Sequence, residues 1–141
     1  MALRTVAVVG ASLAGLRAVE ALRRAGYDGR LVLVGAEAHL PYDRPPLSKD
    51  LLAGETEPDA IALRRSSYDD LALDLRLGHR ALSVDLATRE LTLDDGVRID
   101  FDGLVIATGS APRELPGTPR LDGIFTLRTL DDAAAIRGGA A

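Results

Sequence analysis

Cysteine and tryptophan are absent from this chain of 141 residues, and aromatic side chains make up only 4% of it. Without cysteine there is no disulfide bond, no thiolate metal site and no redox-active dithiol. The sequence also has no basic run interleaved with aromatic residues, so a nucleic-acid-binding surface is not indicated. Its apolar runs are too short to cross a bilayer, which argues against a membrane-spanning segment.

The charge is mildly acidic and well mixed, since 17 basic and 21 acidic side chains give a formal net charge of −4. With 47% hydrophobic residues, the chain is expected to form one globular domain over residues 1–141. The N-terminus has the pattern of a strand rather than a signal peptide, so we expect a cytoplasmic protein. The two histidines, His39 and His79, lack ligand-like spacing, and no metal site is predicted.

The most informative segment extends from Val6 to Gly26 and reads V-A-V-V-G-A-S-L-A-G-L-R-A-V-E-A-L-R-R-A-G. A short apolar strand enters a turn of small residues, and the turn opens a helix rich in Ala, Leu and Arg. Gly10 permits a sharp turn, Ser12 lets a pyrophosphate approach the backbone, and Gly15 lets the helix pack close to the strand. The N–H groups and the positive dipole end of the helix then face the phosphates. The segment therefore predicts a dinucleotide site at Gly10, Ser12, Leu13, Ala14 and Gly15.

Hydrophobic patterning predicts an α/β fold, a Rossmann-like βαβ domain with a central parallel sheet and a small antiparallel β section. The dipeptide Asp95-Gly96 is a hairpin signal within that antiparallel section. Strands are predicted at Val6–Val9, Leu31–Val34, Ile61–Leu63, Leu73–Leu77, Ala81–Asp85, Glu90–Leu93, Val97–Asp100, Leu104–Ala107 and Ile124–Leu127. Helices are predicted at Leu13–Ala25, at Leu47–Ala53 with Ser48 as a possible cap, at Ser66–Leu71 capped by Ser66 or Ser67, and at Leu130–Arg137 capped by Thr129.

Three further segments accompany the glycine turn. They read H-L-P-Y-D-R-P-P-L-S-K at 39–49, L-V-I-A-T-G-S-A-P-R at 104–113 and G-I-F-T-L-R-T-L-D-D at 123–132. Together with the turn, they resemble the FAD-binding region of the ferredoxin-reductase-like flavoproteins. These form a branch of the pyridine-nucleotide-disulfide-oxidoreductase superfamily, with the apoptosis-inducing factors as relatives. The resemblance implies FAD as cofactor, NAD(P)H as co-substrate and a ferredoxin or similar iron–sulfur protein as electron acceptor.

The loop at 39–49 contributes cations suited to a phosphate-bearing cofactor. Arg44 can place two donors on a phosphate or adenosine oxygen, and Lys49 offers a point charge toward the polar edge of the flavin. Pro45 and Pro46 are expected to hold the loop extended and so to fix where both cations point. Arg44, Pro45 and Lys49 are therefore candidate cofactor-binding residues.

An acidic residue after the second strand of a dinucleotide-binding fold normally binds the adenosine ribose. Relatives commonly carry an acid where this chain has Gly35 or Ala36, so Glu37 is the candidate here. The resemblance further implies that Ala81 contacts the adenine through its main chain. It also implies that three small residues, Ala107, Thr108 and Gly109, pass close to the dinucleotide and that Arg113 contacts FAD.

No catalytic side chain is predicted, because a hydride would pass from NAD(P)H to the flavin and electrons would then pass singly to an external iron–sulfur protein serving an oxygenase. The chain lacks the C-x-x-x-x-C pair of the disulfide reductases in the same superfamily. Relatives are much longer, so we expect an N-terminal portion of the FAD domain, without the NAD(P)H-binding and C-terminal domains. Two alternatives stay open: a nicotinamide-binding dehydrogenase domain, and a non-catalytic nucleotide-binding fragment.

Overall fold

The computed structural model describes residues 3–119 and 121–139 and contains seven strands and three α-helices in those ranges. The strands are β1 (Thr5–Val9), β2 (Arg30–Gly35), β3 (Leu73–Leu77), β4 (Ala81–Asp85), β5 (Glu90–Leu93), β6 (Arg98–Asp100) and β7 (Gly103–Ile106). The α-helices are α1 (Leu13–Arg24), α2 (Asp50–Ala53) and α3 (Leu130–Gly139). No helix in the described ranges has the length and apolar character needed to span a membrane.

Contacts divide the chain into two compact units. The first comprises residues 3–41 and 64–109 and contains every strand of the described residues together with α1. The second comprises residues 42–63, 110–119 and 121–139 and contains α2 and α3.

A parallel sheet with the strand order β3-β2-β1-β7 organises the first unit. Val8 of the central strand β1 is aligned with Leu33 of β2 on one side and Val105 of β7 on the other. β1 and β2 are continuous apolar runs because both faces of a parallel sheet are covered, and their central residues are buried. The predicted parallel α/β sheet is thus confirmed.

A second, antiparallel sheet has the order β4-β5-β6, and its β5–β6 hairpin turns at Gly96 with a φ of +82°. Its inward side chains complete the core of the first unit against the parallel sheet. That core contains Ala7, Val9, Val32, Val34, Leu91, Leu93, Ile99 and Phe101. The small antiparallel section and its Asp-Gly turn are therefore confirmed as well.

A buried carboxylate fixes α1 against the segment that precedes β3. Glu20 on α1 is only 8% exposed and accepts hydrogen bonds from Arg17 at 2.6 Å and from Arg64 at 3.2 Å. Arg64 also binds both carboxylate oxygens of Asp70, at 2.5 and 2.6 Å. The hydrogen bond from Arg17 and that from Arg64 together hold the pKa of Glu20 below its usual value, although burial opposes the shift.

The helix predicted at Leu47–Ala53 is interrupted. A 3₁₀ turn at Pro45–Ser48 is followed by α2 at Asp50–Ala53, and Lys49 between them has φ −128° and ψ −118°, outside the helical region. The expectation that Pro45 and Pro46 keep this loop extended is also wrong. Pro45 and Pro46 are the first two residues of the 3₁₀ turn. The fixed φ of proline suits a helix start, and the N–H groups at that end have no partner within the helix, so their absence costs no hydrogen bond.

Three other predicted elements differ from the structure. Residues Ile61–Leu63 form no strand: a 3₁₀ turn ends at Ile61, and Ala62 makes one isolated bridge to Tyr42. Within Ser66–Leu71 only Asp69–Leu71 is helical, as one 3₁₀ turn.

Residues Ile124–Leu127 are irregular, although their composition is that of a strand. The second unit contains no strand among its described residues, so this segment has no ladder to join. By contrast α3 forms as predicted, and the Asp132 N–H donates to Thr129 Oγ1 at 3.1 Å as expected for an N-cap.

Candidate functional site

The turn between β1 and α1 passes directly against the end of β7. Gly10 has a φ of +117°, which side-chain-bearing residues rarely adopt, and its N–H donates to Val34 O at 2.8 Å. A Cβ at position 10 would lie 2.1 Å from Ala107 O and 2.9 Å from Thr108 N. The site therefore requires glycine here both for its backbone conformation and for the close approach of another segment.

Gly15, in the first turn of α1, is required by close packing. A Cβ at this position would lie 1.8 Å from Gly10 O, so the helix can approach the turn only without a side chain. Both glycines therefore have the physical roles that the spacing predicts.

The positive end of α1 is left without a compensating side chain. Ser12 is the N-cap residue with an extended backbone, but its hydroxyl makes no capping hydrogen bond, and the first turn carries no acidic residue. Leu13 and Ala14 are exposed beside it. Backbone N–H groups at such a helix start favour an anionic ligand.

Ala107, Thr108 and Gly109 form the second wall of this cradle. The Ala107 N–H donates to Val9 O at 2.7 Å, which extends the pairing of β7 with β1 up to the turn. Thr108 and Gly109 are exposed, and Gly109 has a φ of +68°. The structure thus brings the two predicted glycine-containing motifs together at the carboxyl ends of adjacent parallel strands, where α/β folds bind ligands.

Gly35, at the end of β2, has a packing role that the sequence did not reveal. It is buried, and a Cβ there would lie 2.6 Å from Ala11 Cβ and 3.1 Å from Leu77 Cδ2. An acidic residue does not fit at this position. The half-buried Glu37, whose carbonyl accepts the Gly78 N–H at 2.9 Å, follows two residues later.

Ala81 lies at the start of β4, where it is half-buried and aligned with Leu93 of β5. The register shifts between Ala81 and Ser83, so the ladder is irregular next to this residue. Its assignment to the adenine stays a prediction.

Arg44 belongs to the second unit, where it forms protein contacts. Its Nη1 donates to Arg128 O at 2.6 Å and to the Tyr42 hydroxyl at 3.1 Å, and the guanidinium lies 5.2 Å from the centroid of the Tyr42 ring. The same hydroxyl accepts the N–H of Leu130, the first residue of α3. Arg44 therefore holds the start of α3, and its predicted contact with a cofactor stays a prediction.

The other candidates of the second unit lie at its surface. Pro45 and Lys49 are exposed at the 3₁₀ turn and at the N-cap of α2, respectively. Arg113 is exposed and lines an open hollow of about 660 Å³ together with Leu115, Ile124 and Phe125. Their roles toward a cofactor also stay predictions.

Known proteins share the sequence pattern and the fold of this chain. The family model described as pyridine nucleotide-disulphide oxidoreductase matches residues 4–140. The ferredoxin–NAD(+) reductase component of a biphenyl dioxygenase system from Paraburkholderia xenovorans is 44% identical over 135 residues, which cover 94% of this chain and 33% of that protein. The ferredoxin reductase component of chlorobenzene dioxygenase from a Cupriavidus species is 40% identical over 95% of this chain and 33% of its own length.

A solved structure shares the fold. The covalent complex of putidaredoxin reductase with putidaredoxin superposes with a TM-score of 0.88 at 35% identity, over 96% of this chain and 34% of the matched chain. The chain therefore spans about a third of the length of these relatives.

Proposed function

This chain belongs to the pyridine nucleotide-disulphide oxidoreductase family, and on that premise we propose that it is the FAD-binding part of a ferredoxin reductase. The whole protein would take electrons from NAD(P)H and pass them through FAD to an iron–sulfur protein that serves an oxygenase. Two observations support this proposal: the relatives are named as reductase components of dioxygenase systems, and one matched structure is a reductase in complex with putidaredoxin.

The observation that carries the proposal is the cradle between the β1–α1 turn and the end of β7. A Cβ has no room at Gly10 or at Gly15. The start of α1 presents backbone N–H donors that no side chain caps. A pyrophosphate bridging two nucleosides fits such a cradle, because it is anionic and needs close backbone approach. The residues that would hold it are Gly10, Ser12, Leu13, Ala14, Gly15, Ala107, Thr108 and Gly109.

We assign the adenosine ribose to Glu37, because Gly35 has no space for a side chain and Ala36 has no acid. The proposal keeps the other cofactor-binding residues that the sequence predicts, namely Arg44, Pro45, Lys49, Ala81 and Arg113.

When bound, FAD supplies hydride acceptance and one-electron transfer, while the chain supplies binding and orientation. The residues of the cradle act through backbone N–H groups and small side chains, so none of them is assigned proton transfer. Relatives three times as long carry the named reductase activity, and the activity of this chain alone is a separate question.

Position 12 offers a test that separates cofactor binding from folding. Ser12→Asp places a carboxylate where a pyrophosphate would lie, yet aspartate is a favourable N-cap and complements the helix dipole. We expect the variant to fold at least as stably as the parent chain and to bind FAD at least tenfold more weakly. Ser12→Gly, which restores the strict glycine pattern, is the matched control and should keep FAD binding.

The measurement is the visible absorption spectrum after FAD is added and the protein is desalted, with fluorescence titration for affinity and circular dichroism for folding. Parallel titrations with NAD and ADP distinguish the other interpretations. Tight NAD binding without FAD binding would favour a dehydrogenase domain, whereas ADP binding alone would favour a nucleotide-binding fragment. Equal FAD affinity in Ser12→Asp and the parent chain would contradict the assignment to this turn.

A further inference from the structure

Three side chains with metal-binding groups converge at the edge of the antiparallel sheet. His79 lies in the β3–β4 connection, whereas Asp94 and Asp95 lie in the β5–β6 turn, so the fold brings together residues 15 positions apart. His79 Nδ1 is 3.2 Å from an Asp95 oxygen and 3.6 Å from an Asp94 oxygen. One ligand atom from each residue lies within 4.8 Å of those of the other two.

The backbone on both sides of this cluster is held in place. The His79 N–H donates to Gly35 O at 3.0 Å, and the Asp94 N–H donates to Arg80 O at 2.9 Å. These bonds tie the β3–β4 connection to the end of β2 and to the β5–β6 turn. The three side chains therefore project from anchored positions.

The two carboxylate oxygens of Asp95 have different contacts. Its Oδ1 accepts the Val97 N–H at 2.9 Å, while its Oδ2 faces His79. In the described part of the chain, neither Asp94 nor Asp95 forms an ion pair with a lysine or arginine. Two neighbouring carboxylates thus face an imidazole nitrogen, while the guanidinium of Arg76, which is hydrogen-bonded to Asp74, also interacts electrostatically with Asp95.

The two separations from His79 match those between ligands of one small cation. Nitrogen and oxygen ligands lie about 2.0–2.2 Å from a tetrahedral zinc ion, which sets neighbouring ligand atoms about 3.3 Å apart. The two His79 distances lie on either side of that value. All three side chains are roughly one-third to two-fifths exposed, so water has access to the remaining coordination position.

We propose that His79, Asp94 and Asp95 form a binding site for a divalent transition-metal ion, with Zn²⁺ as the representative cation. Imidazole and carboxylate ligands with one open position suit such an ion. The bound ion would clamp the β3–β4 connection to the β5–β6 turn. This site differs in chemistry from the proposed nucleotide cradle, although its β3–β4 connection also contacts the backbone of Gly35 and Glu37. Its test does not depend on FAD binding.

Calorimetric titration of the untagged chain with Zn²⁺ tests the site. We expect one saturable ion per chain, with affinity at least tenfold lower in His79→Ala and in Asp94→Asn. His39→Ala is the matched control because it removes the only other histidine, and it should leave Zn²⁺ affinity unchanged. Asp95→Asn should also bind Zn²⁺ more weakly, because it removes the charge of the carboxylate. The asparagine still has an oxygen that can accept the Val97 N–H, so the weaker binding would not result from disruption of the β5–β6 turn.

Hydrogen exchange provides a second readout. Zn²⁺ should slow exchange of backbone amides in the β3–β4 connection and the β5–β6 turn of the parent chain, but not of His79→Ala. Circular dichroism establishes that each variant is folded. The proposal is overturned by the absence of saturable binding, by full affinity in His79→Ala, or by equal loss in His39→Ala.

Discussion

At the scale of single residues, Glu20 shows how one buried carboxylate links α1 to a segment distant in the sequence. Its folded-state pKa is lowered by hydrogen bonds from Arg17 and Arg64. A lowered carboxylate pKa stabilises the folded chain above the ordinary glutamate pKa of about 4.3, and the contribution is lost as pH falls toward the lowered value. We expect Glu20→Gln to reduce the free energy of unfolding at pH 7 by about 1.5–3 kcal/mol, the range for hydrogen bonds to charged groups.

Urea unfolding at pH 7 and at a series of lower pH values checks both the size and the sign of this effect. The difference between the parent chain and Glu20→Gln should shrink as the pH falls below about 4, because the parent glutamate then becomes protonated. Glu55→Gln is the matched control, since Glu55 is exposed and no ion pair is found for it among the described residues. A difference that stays constant from pH 7 to pH 3 would show that the Glu20 charge is not responsible.

At the scale of secondary-structure elements, the packing of α1 on the β1–α1 turn depends on Gly15. Alanine is ordinarily better than glycine inside a helix by about 1 kcal/mol. Here the added Cβ would lie 1.8 Å from Gly10 O, and overpacking of this kind typically costs about 1–3 kcal/mol. We therefore expect Gly15→Ala to destabilise the chain and to abolish retention of FAD.

Gly138→Ala is the control for this comparison, because it makes the same substitution in α3 at a position where a Cβ meets nothing within 4 Å. Thermal unfolding should show a lower Tm for Gly15→Ala and an unchanged or slightly higher Tm for Gly138→Ala. Equal Tm values for the two variants would mean that the turn has enough freedom to accommodate a side chain.

The elements that the sequence predicted correctly include those with strong local signals and also the short strands β3, β4 and β5. β1, β2 and α1 follow from continuous apolar runs and from helix periodicity that ends at Gly26, where φ is +83°. Some other short patterns predicted elements that tertiary context did not allow. Ile124–Leu127 has the composition of a strand but forms none, because a strand also needs a neighbouring ladder that no short window encodes.

The residues of the candidate site also differ in how far the sequence could predict them. Gly10 and Gly15 were predictable because their spacing has a stereochemical cause within one local turn. The resemblance implied that Ala107 lies close to the dinucleotide, but the close approach of Ala107 to Gly10 was not predicted, since it joins residues 97 positions apart. The packing of Gly35 against Ala11 and the convergence of His79 with Asp94 and Asp95 had no local signal at all.

At the scale of the whole molecule, the parallel sheet ends at β7 within the described residues, where that strand pairs with β1 alone. Ile106, its last residue, is 73% exposed. An edge strand that ends in an exposed apolar side chain can pair with another chain, and charged residues on edge strands prevent this. We therefore expect the chain to associate as its concentration rises and Ile106→Lys to reduce that association.

Sedimentation velocity over a hundredfold range of concentration measures the effect. Leu86→Lys is the matched control, because Leu86 is 74% exposed but lies in the β4–β5 turn and on no strand edge. Both variants add the same charge and remove a similar exposed apolar side chain, so they differ mainly in position. Weaker association in Ile106→Lys alone would assign it to the β7 edge, whereas equal weakening in both would assign it to general surface hydrophobicity. A parent chain that stays monomeric at every concentration would show that this edge does not support pairing.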